Sequence, residues 1–196
     1  MRELSLHLLD IAENSIAAGA KRIEISLIED SVLDLLQMSI TDNGKGMSPE
    51  MVAQVTDPFI TSRTTRKVGL GIPLLKAAAE ACNGFLNITS ELGAGTTLTV
   101  RFQRSHIDRM PIGDLVTTMV NLIVCNPMVH WLFEYRYDNK SAVFDDEPVK
   151  DTLGDIPLSE PEVLTCIRNM IEETVLGINP EFLQDSVTLT NQPIRR

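Results

Sequence analysis

Cysteines and basic residues are scarce in this chain of 196 residues. The three cysteines, Cys82, Cys125 and Cys166, are odd in number and widely separated, which excludes a disulfide framework and a CxxC metal site. Lysine and arginine total 17 against 27 acidic residues, so the formal net charge is −10. An acidic chain lacks the broad positive surface that nucleic acid or anionic lipid requires. We therefore expect no nucleic-acid partner and cysteines that stay reduced.

A long apolar run is also missing. The most apolar stretch, residues 115–133, is interrupted by Asn121, Asn126 and Pro127, which does not fit a membrane-spanning helix. The start of the chain carries charge and a histidine where a signal peptide needs an apolar core. We expect a cytoplasmic protein without a membrane segment.

Hydrophobic periodicity predicts an α+β fold. Residues 4–16 carry apolar side chains at three- and four-residue spacings, which is typical of an amphipathic helix. Alternating patterns predict strand pairs within 23–40 and 85–102. Through residue 104 the order is helix, two strands, a short helix between two loops, a helix and two strands. This order predicts a two-layer α/β sandwich with helices on one face of a mostly antiparallel sheet.

The charge pattern divides the chain. Residues 1–104 carry 10 basic and 12 acidic side chains, whereas residues 105–196 carry 7 and 15. In the second part the sequence predicts a helix at 112–124, a hairpin, an acidic loop holding Pro148, and a helix at 160–176. We predict two domains, residues 1–104 and a small, acidic α+β extension at 105–196 whose role stays open.

The first polar motif lies on the opening helix. Asp10 and Asn14 are four residues apart and share one helical face. A carboxylate beside an amide oxygen can orient a nucleophile and hold Mg²⁺, although such pairs are also common on solvated helix faces. His7 shares this face, and a histidine at a helix start is expected to be a surface or capping group.

The second motif, Asp42 to Met47, directly follows a predicted strand. A carboxylate at a strand end can accept a hydrogen bond from an exocyclic amine. Gly44 and Gly46 would let the backbone approach a flat base, or would simply supply the positive φ angles of a turn.

The third motif combines a basic, hydroxyl-rich stretch, Thr61 to Lys67, with Gly69-Leu70-Gly71 at a predicted helix start. Free N–H groups and the positive end of the helix dipole suit phosphate oxygens at such a position. A solvated surface loop is the alternative interpretation.

Together the three motifs resemble those of the ATP-binding superfamily of DNA gyrase B, the Hsp90 chaperones, histidine kinases and the MutL mismatch-repair ATPase, over residues 3–102. Residues 13–23 are similar to the MutL form of the first box, whereas 57–62, 69–72 and 93–97 are similar to the histidine-kinase form of the rest. The resemblance implies a left-handed βαβ ATP-binding fold, ATP and Mg²⁺ as cofactors, and an ATP lid between the second and third boxes.

The resemblance also implies roles for individual residues. Asn14 matches the Mg²⁺ ligand, Asp42 matches the carboxylate that binds the adenine amine, and Thr97 matches the threonine that supports this carboxylate. Asp10 occupies the position of the glutamate that activates water in gyrase and MutL, and of an asparagine in histidine kinases. It is the candidate catalytic base. The other residues expected at the nucleotide are Gly44, Gly46, Met47, Phe59, Thr61, Ser62, Arg63, Lys67, Gly69, Leu70 and Gly71.

Three functions fit this resemblance. The first is a regulatory protein kinase or ATP-driven switch that acts on a partner protein, with Asp10 as base and Arg63, Arg66 or Lys67 near the γ-phosphate. The second is a slow ATPase of the MutL type, and the third is a nucleotide-responsive binding module without catalysis. Because few residues precede the first box, we expect no histidine phosphoacceptor domain, and a homodimer stays open.

Overall fold

The computed structural model describes residues 3–56 and 71–182, which form six helices and six strands. The helices are α1 Leu4–Ala17, α2 Pro49–Thr56, α3 Gly71–Ala81, α4 Leu115–Cys125, α5 Glu147–Leu153 and α6 Pro161–Leu176. The strands are β1 Arg22–Asp30, β2 Leu35–Asp42, β3 Phe85–Glu91, β4 Gly95–Gln103, β5 His130–Tyr137 and β6 Lys140–Asp145. Among these helices, none combines the length and the apolar composition that a membrane crossing requires.

The six strands form one mixed sheet in the order β3-β4-β2-β1-β5-β6. The pairing of β1 with β5 is parallel, and the other four pairings are antiparallel. Inward-facing strand residues such as Ile25, Met38 and Val100 are almost fully buried. Helices α1, α3, α4 and α6 add their apolar sides to the same core. The prediction of a two-layer α+β fold is confirmed.

The second part of the chain continues the sheet of the first. Strand β5 pairs with β1 along its length, so that Ile25 lies opposite Phe133. The carbonyl oxygens of Pro111 and Ile112 accept hydrogen bonds from the first backbone N–H groups of α1, at 2.9 and 2.8 Å, groups that a helix leaves without internal partners. Both parts share one hydrophobic core. The division into two domains near residue 104 stays a prediction.

A buried polar network also joins the two parts. Glu29 on β1 is only 4% exposed. Its carboxylate accepts hydrogen bonds from the Tyr135 hydroxyl at 2.8 Å and from the Arg104 guanidinium at 3.0 Å. Asn179 donates to the Tyr135 oxygen at 3.2 Å. Burial raises the pKa of Tyr135 and the Glu29 charge raises it further, so the hydroxyl keeps the proton that it donates. Every member is satisfied, as a buried polar group requires.

The sequence analysis missed one helix. The stretch predicted as an acidic loop contains α5, Glu147–Leu153. Pro148 lies in the first turn of this helix, where the missing N–H is not needed. Pro148, which we interpreted as part of a loop, therefore lies at the start of a helix.

The loop between β2 and α2 packs tightly against the β3–β4 turn. The Met47 N–H donates to the Ser90 hydroxyl at 2.8 Å. Gly46 has a φ of 63°, and a Cβ atom built there would overlap the carbonyl oxygen of Glu91. Glycine is required at this position for its conformation and for its lack of a side chain.

We predict that both parts of the chain unfold together. Phe133→Ala should lower the free energy of unfolding by about 3–5 kcal/mol, because it removes a fully buried ring at the β1–β5 pairing. The single tryptophan, Trp131, is buried in β5 and reports on the second part. Urea unfolding followed by its fluorescence and by far-ultraviolet circular dichroism should give one midpoint. Val32→Ala is the control at an 89% exposed position; two separate midpoints would contradict the prediction.

A second prediction separates backbone strain from close packing. Gly93 has a φ of 81° but open space where a Cβ atom would lie, whereas Gly46 has both a positive φ and the overlap with Glu91. Gly93→Ala should cost about 1–2 kcal/mol for the left-handed backbone alone. Gly46→Ala should cost about 1–3 kcal/mol more, because the loop must also move away from Glu91. Urea midpoints of the two variants test this, and equal losses would argue against the close approach.

Candidate nucleotide site

A cavity of about 600 Å³ opens between α1, α2, the start of α3 and the β2 and β4 ends of the sheet. This volume is typical of sites for small ligands. The apolar side chains on its wall include Ile11, Ile40, Met47, Met51, Val55, Ile72, Ile88 and Leu98. The polar and charged residues are fewer: Asn14, Ser15, Asp42, Lys45 and Thr96. An apolar wall with few polar groups suits a flat heterocycle that is recognised at one edge.

Asp42 is the buried carboxylate of this cavity. It ends β2 and is 8% exposed. Its Oδ2 accepts a hydrogen bond from the Ser15 hydroxyl at 2.6 Å, and its Oδ1 accepts from the Gly44 N–H at 2.8 Å. An ionised carboxylate has about four acceptor positions, so these two bonds orient it and leave capacity for another donor. Asp42 can therefore accept from a ligand amine within the cavity.

The glycines beside Asp42 have different surroundings. A Cβ at Gly44 would lie 2.9 Å from Asp42 Oδ1 and 3.0 Å from the Ala18 side chain. Gly46 lines the cavity together with Met47. The absence of side chains lets the loop pack closely against α1 at Gly44 and against the β3–β4 turn at Gly46. The approach of these glycines to a flat base stays a prediction.

The strand register corrects the expectation for Thr97. Thr96 pairs with Asp42 across β2 and β4 and lines the cavity. Thr97 lies on the opposite face of the sheet, since side chains alternate along a strand, and its hydroxyl is 3.1 Å from that of Thr41. Thr96 therefore takes the place beside the carboxylate, with its hydroxyl 2.8 Å from that of Ser90.

Asn14 lies on the rim of the cavity. Its side-chain N–H donates to the Asp10 carbonyl oxygen at 2.8 Å, which holds the amide and leaves Oδ1 as its acceptor. An amide oxygen is a suitable ligand for a hard cation. The Asp10 side chain lies one turn earlier, half-buried, and its Oδ2 is buried without a hydrogen-bond partner among the described residues.

His7 is buried, contrary to the expectation of a surface or capping group. The ring is 1% exposed and forms a hydrogen bond with the backbone of Gly71, the first residue of α3. Burial lowers the pKa of His7, although the Asp10 charge and the Gly71 bond act in the opposite direction. Its Nδ1 has no hydrogen-bond partner within the described residues.

Phe59 and most of the third motif lie outside the described residues. This applies to Phe59, Thr61, Ser62, Arg63, Lys67, Gly69 and Leu70. Gly71 is buried at the start of α3, and the next residue, Ile72, lines the cavity. The described residues thus bring Asn14, Asp42, Gly46 and Met47 to one cavity with the start of α3 beside it.

Sequence reasoning missed Ser15, Ser90, Thr96 and Lys45. Ser15 directly follows Asn14, and Thr96 directly precedes Thr97, two residues that the motifs identified as candidates. The roles of Ser15 and Thr96 depend on which face of the helix or strand they occupy. Ser15 lies three residues after Ala12 and four after Ile11, both buried, so helical spacing could have placed it on the inner face.

Comparison with known proteins identifies a family for the first part of the chain. The family described as histidine kinase-, DNA gyrase B-, and HSP90-like ATPase matches residues 2–106. A putative NtrY-like sensor histidine kinase of Rickettsia conorii is 28% identical over 108 residues, which are 55% of this chain and 18% of that protein. The non-motile and phage-resistance protein of Caulobacter vibrioides is 31% identical over 118 residues, 56% of this chain and 14% of that protein.

The fold has a counterpart among solved structures. The N-terminal domain of a DNA repair protein aligns with a TM-score of 0.52 and 15% identity, covering 73% of this chain and 52% of that chain. The chain spans less than a fifth of the curated relatives that it matches. The family match covers more than half of the chain, and the predicted ATP-binding class is confirmed: the chain belongs to the histidine kinase-, DNA gyrase B-, and HSP90-like ATPase family.

Proposed function

We propose that the chain binds Mg²⁺-ATP in the 600 Å³ cavity and uses it to regulate a partner protein, by phosphoryl transfer or as an ATP-driven switch. The observation that carries the proposal is the buried Asp42 carboxylate, held by Ser15 and Gly44 with acceptor capacity left over. Adenine has an exocyclic amine that can donate to this carboxylate. Guanine has a carbonyl oxygen at the equivalent position, which would leave two acceptors facing each other.

The phosphate end of the proposed site lies between α1 and α3. The free N–H groups at the start of α3 suit phosphate oxygens. Asn14 Oδ1 would be a protein ligand of Mg²⁺, and the donor set fits, because Mg²⁺ in nucleotide sites takes few protein ligands beside phosphate oxygens and water. When bound, Mg²⁺ would neutralise charge on the phosphates. The expected roles of Arg63, Arg66 and Lys67 belong to the same proposal.

Asp10 is the proposed base. It would accept the proton of the attacking hydroxyl while the hydroxyl oxygen forms a bond to the γ-phosphorus. The bond between that phosphorus and the β,γ-bridging oxygen breaks, and ADP leaves. Membership of the ATPase family and a relative named as a sensor histidine kinase support a reaction at the γ-phosphate over binding alone. Because ATP is a cytoplasmic metabolite, the proposal includes a cytoplasmic location.

One assay separates the three functions. The full chain is incubated with γ-labelled ATP, with and without a partner captured in the presence of ATP. Label on the partner indicates a kinase, free labelled phosphate alone indicates an ATPase, and nucleotide affinity without either indicates a binding module.

We predict that ATP binds more tightly than GTP. The acceptor left unpaired by guanine should cost on the order of 1–3 kcal/mol, or roughly 5- to 150-fold in affinity. Asp42→Ala should lower ATP affinity and remove most of this preference. Isothermal titration calorimetry with ATP and with GTP, each in the presence of Mg²⁺, measures both affinities. Glu24→Gln, at an exposed carboxylate on β1, is the control and should bind like the wild type. Equal affinities of the wild type for ATP and GTP would exclude the role of Asp42.

We also predict that binding and turnover depend on different residues of α1. Asp10→Asn should leave ATP affinity nearly unchanged and lower turnover by roughly 10²–10⁴-fold, the usual contribution of a positioned base. Asn14→Ala should weaken ATP binding in the presence of Mg²⁺, because the metal loses an oxygen ligand. Glu13→Gln, an exposed neighbour on the same helix, is the control. Unchanged turnover in Asp10→Asn would remove the base assignment while the nucleotide site stands.

A further inference from the structure

Strand β3 forms one edge of the sheet, and in the described part of the chain no strand pairs with its outer side. None of its seven residues is buried, so alternate backbone N–H and C=O groups along this edge are open to another strand. Edge strands commonly carry lysine, proline or a bulge that prevents such pairing. Residues 85–91 contain neither lysine nor proline, and their one charged residue, Glu91, ends the strand. The pairing of β3 with β4 is continuous, without a bulge.

We propose that β3 pairs antiparallel with β3 of a second copy of this chain, so that the two sheets join into one. The register that pairs all seven residues places Ile88 opposite Ile88 of the second copy. Asn87 then lies opposite Thr89, and Leu86 lies opposite Ser90. This register brings no like charges opposite each other, which would be destabilising. Both copies use the same surface, as a two-fold contact requires.

The charged groups near the ends of β3 are complementary in this register. Glu91 of one copy lies opposite Phe85 of the other. Arg101 pairs with Phe85 on β4, and its guanidinium carbon lies 5.3 Å from the centre of the Phe85 ring. Glu91 and Arg101 are both exposed, and their Cα atoms would be about 10 Å apart, or two strand spacings. Two long side chains on one face of the sheet can span this distance, and the two-fold axis repeats the acidic and basic pair.

The same register pairs an exposed leucine with a cavity. Leu92 directly follows β3 and is 65% exposed. At the other end of β3, a cavity of about 440 Å³ has Leu33, Gly84 and Phe85 on its wall. Extending the register by one residue places Leu92 of one copy opposite Gly84 of the other, beside this cavity. Removing Leu92 from water there would favour the dimer, and it would do so twice.

Two double variants test the register. Asn87→Lys with Thr89→Lys places lysine opposite lysine twice, whereas Asn87→Lys with Thr89→Glu places lysine opposite glutamate twice. Both positions are exposed, so the fold should be kept, and circular dichroism with urea unfolding checks this. Sedimentation velocity of the nucleotide-free full chain over a range of concentrations should show a wild-type dimer. The dissociation constant of the variant with two lysines should exceed that of the lysine–glutamate variant by roughly 10-fold or more.

Overall charge cannot produce this result. Each copy carries a net charge of −10, and two added lysines make it less negative, so a change in the general repulsion between copies would strengthen the dimer with two lysines. A second test uses Leu92→Ser, which should raise the dissociation constant by roughly 10-fold or more, because apolar burial is lost in both copies. Val143→Ser is the control, since Val143 is 59% exposed on β6 at the other edge of the sheet. This variant should dimerise like the wild type.

Three results would overturn the proposal. The first is a wild type that sediments as a monomer at every concentration. The second is an equal dissociation constant for the two double variants, because the dimer would then form through another surface. The third is a loss of dimer in Val143→Ser as large as in Leu92→Ser, which would indicate the β6 edge. These measurements are made without nucleotide, so they leave the proposed function to its own titrations.

Discussion

The hydrogen bond from Ser15 to Asp42 is the contact on which the geometry of the site depends. It is 2.6 Å long and buried, and it connects α1 to the end of β2. Asp10 and Asn14 belong to the helix at one end of this bond, and Asp42 belongs to the strand at the other. The distance between the proposed base-binding and phosphate-binding groups is therefore set by one short side-chain bond rather than by a long loop. Such charge-assisted bonds are stronger than neutral ones.

The second part of the chain stabilises the positions of α1 and β1. Pro111 and Ile112 satisfy the first N–H groups of α1, and β5 pairs with the free side of β1. The N–H of His130 also donates to the Lys21 carbonyl at 2.8 Å, while the side chain of Asn43 accepts from the Lys21 and Arg22 N–H groups. The corner between α1 and β1 is thus held from two directions. A region with no predicted role in nucleotide binding is a structural support for the helix that carries the proposed catalytic residues.

Sequence patterns predicted most elements because their information is local. Helical spacing, strand alternation and glycine-marked turns placed α1, the strand pairs, α4 and α6 close to their observed bounds. Parallel pairing of β5 with β1 joins residues more than 100 positions apart, and no local pattern encodes it. The choice between Thr96 and Thr97 required the strand register, since a shift of one residue changes the face of the sheet. The burial of His7 required the packing of α3 on α1.

The negative net charge of the chain explains why the proposed nucleotide site must bind ATP through short-range contacts. The chain has a net charge of −10 and would repel a polyphosphate at long range. Among the described residues on the cavity wall, Lys45 is the one cation, and Asp42 and Asn14 are acceptors. Under the proposed function, binding of ATP in such a cavity would therefore depend on groups that act at short range. These are the backbone N–H groups at the start of α3, the metal ion proposed on Asn14, and the basic residues expected between 61 and 67. The Debye length is about 8 Å at physiological ionic strength. Salt therefore weakens the repulsion between ATP and acidic groups that lie farther away than this, and it weakens the short-range contacts much less.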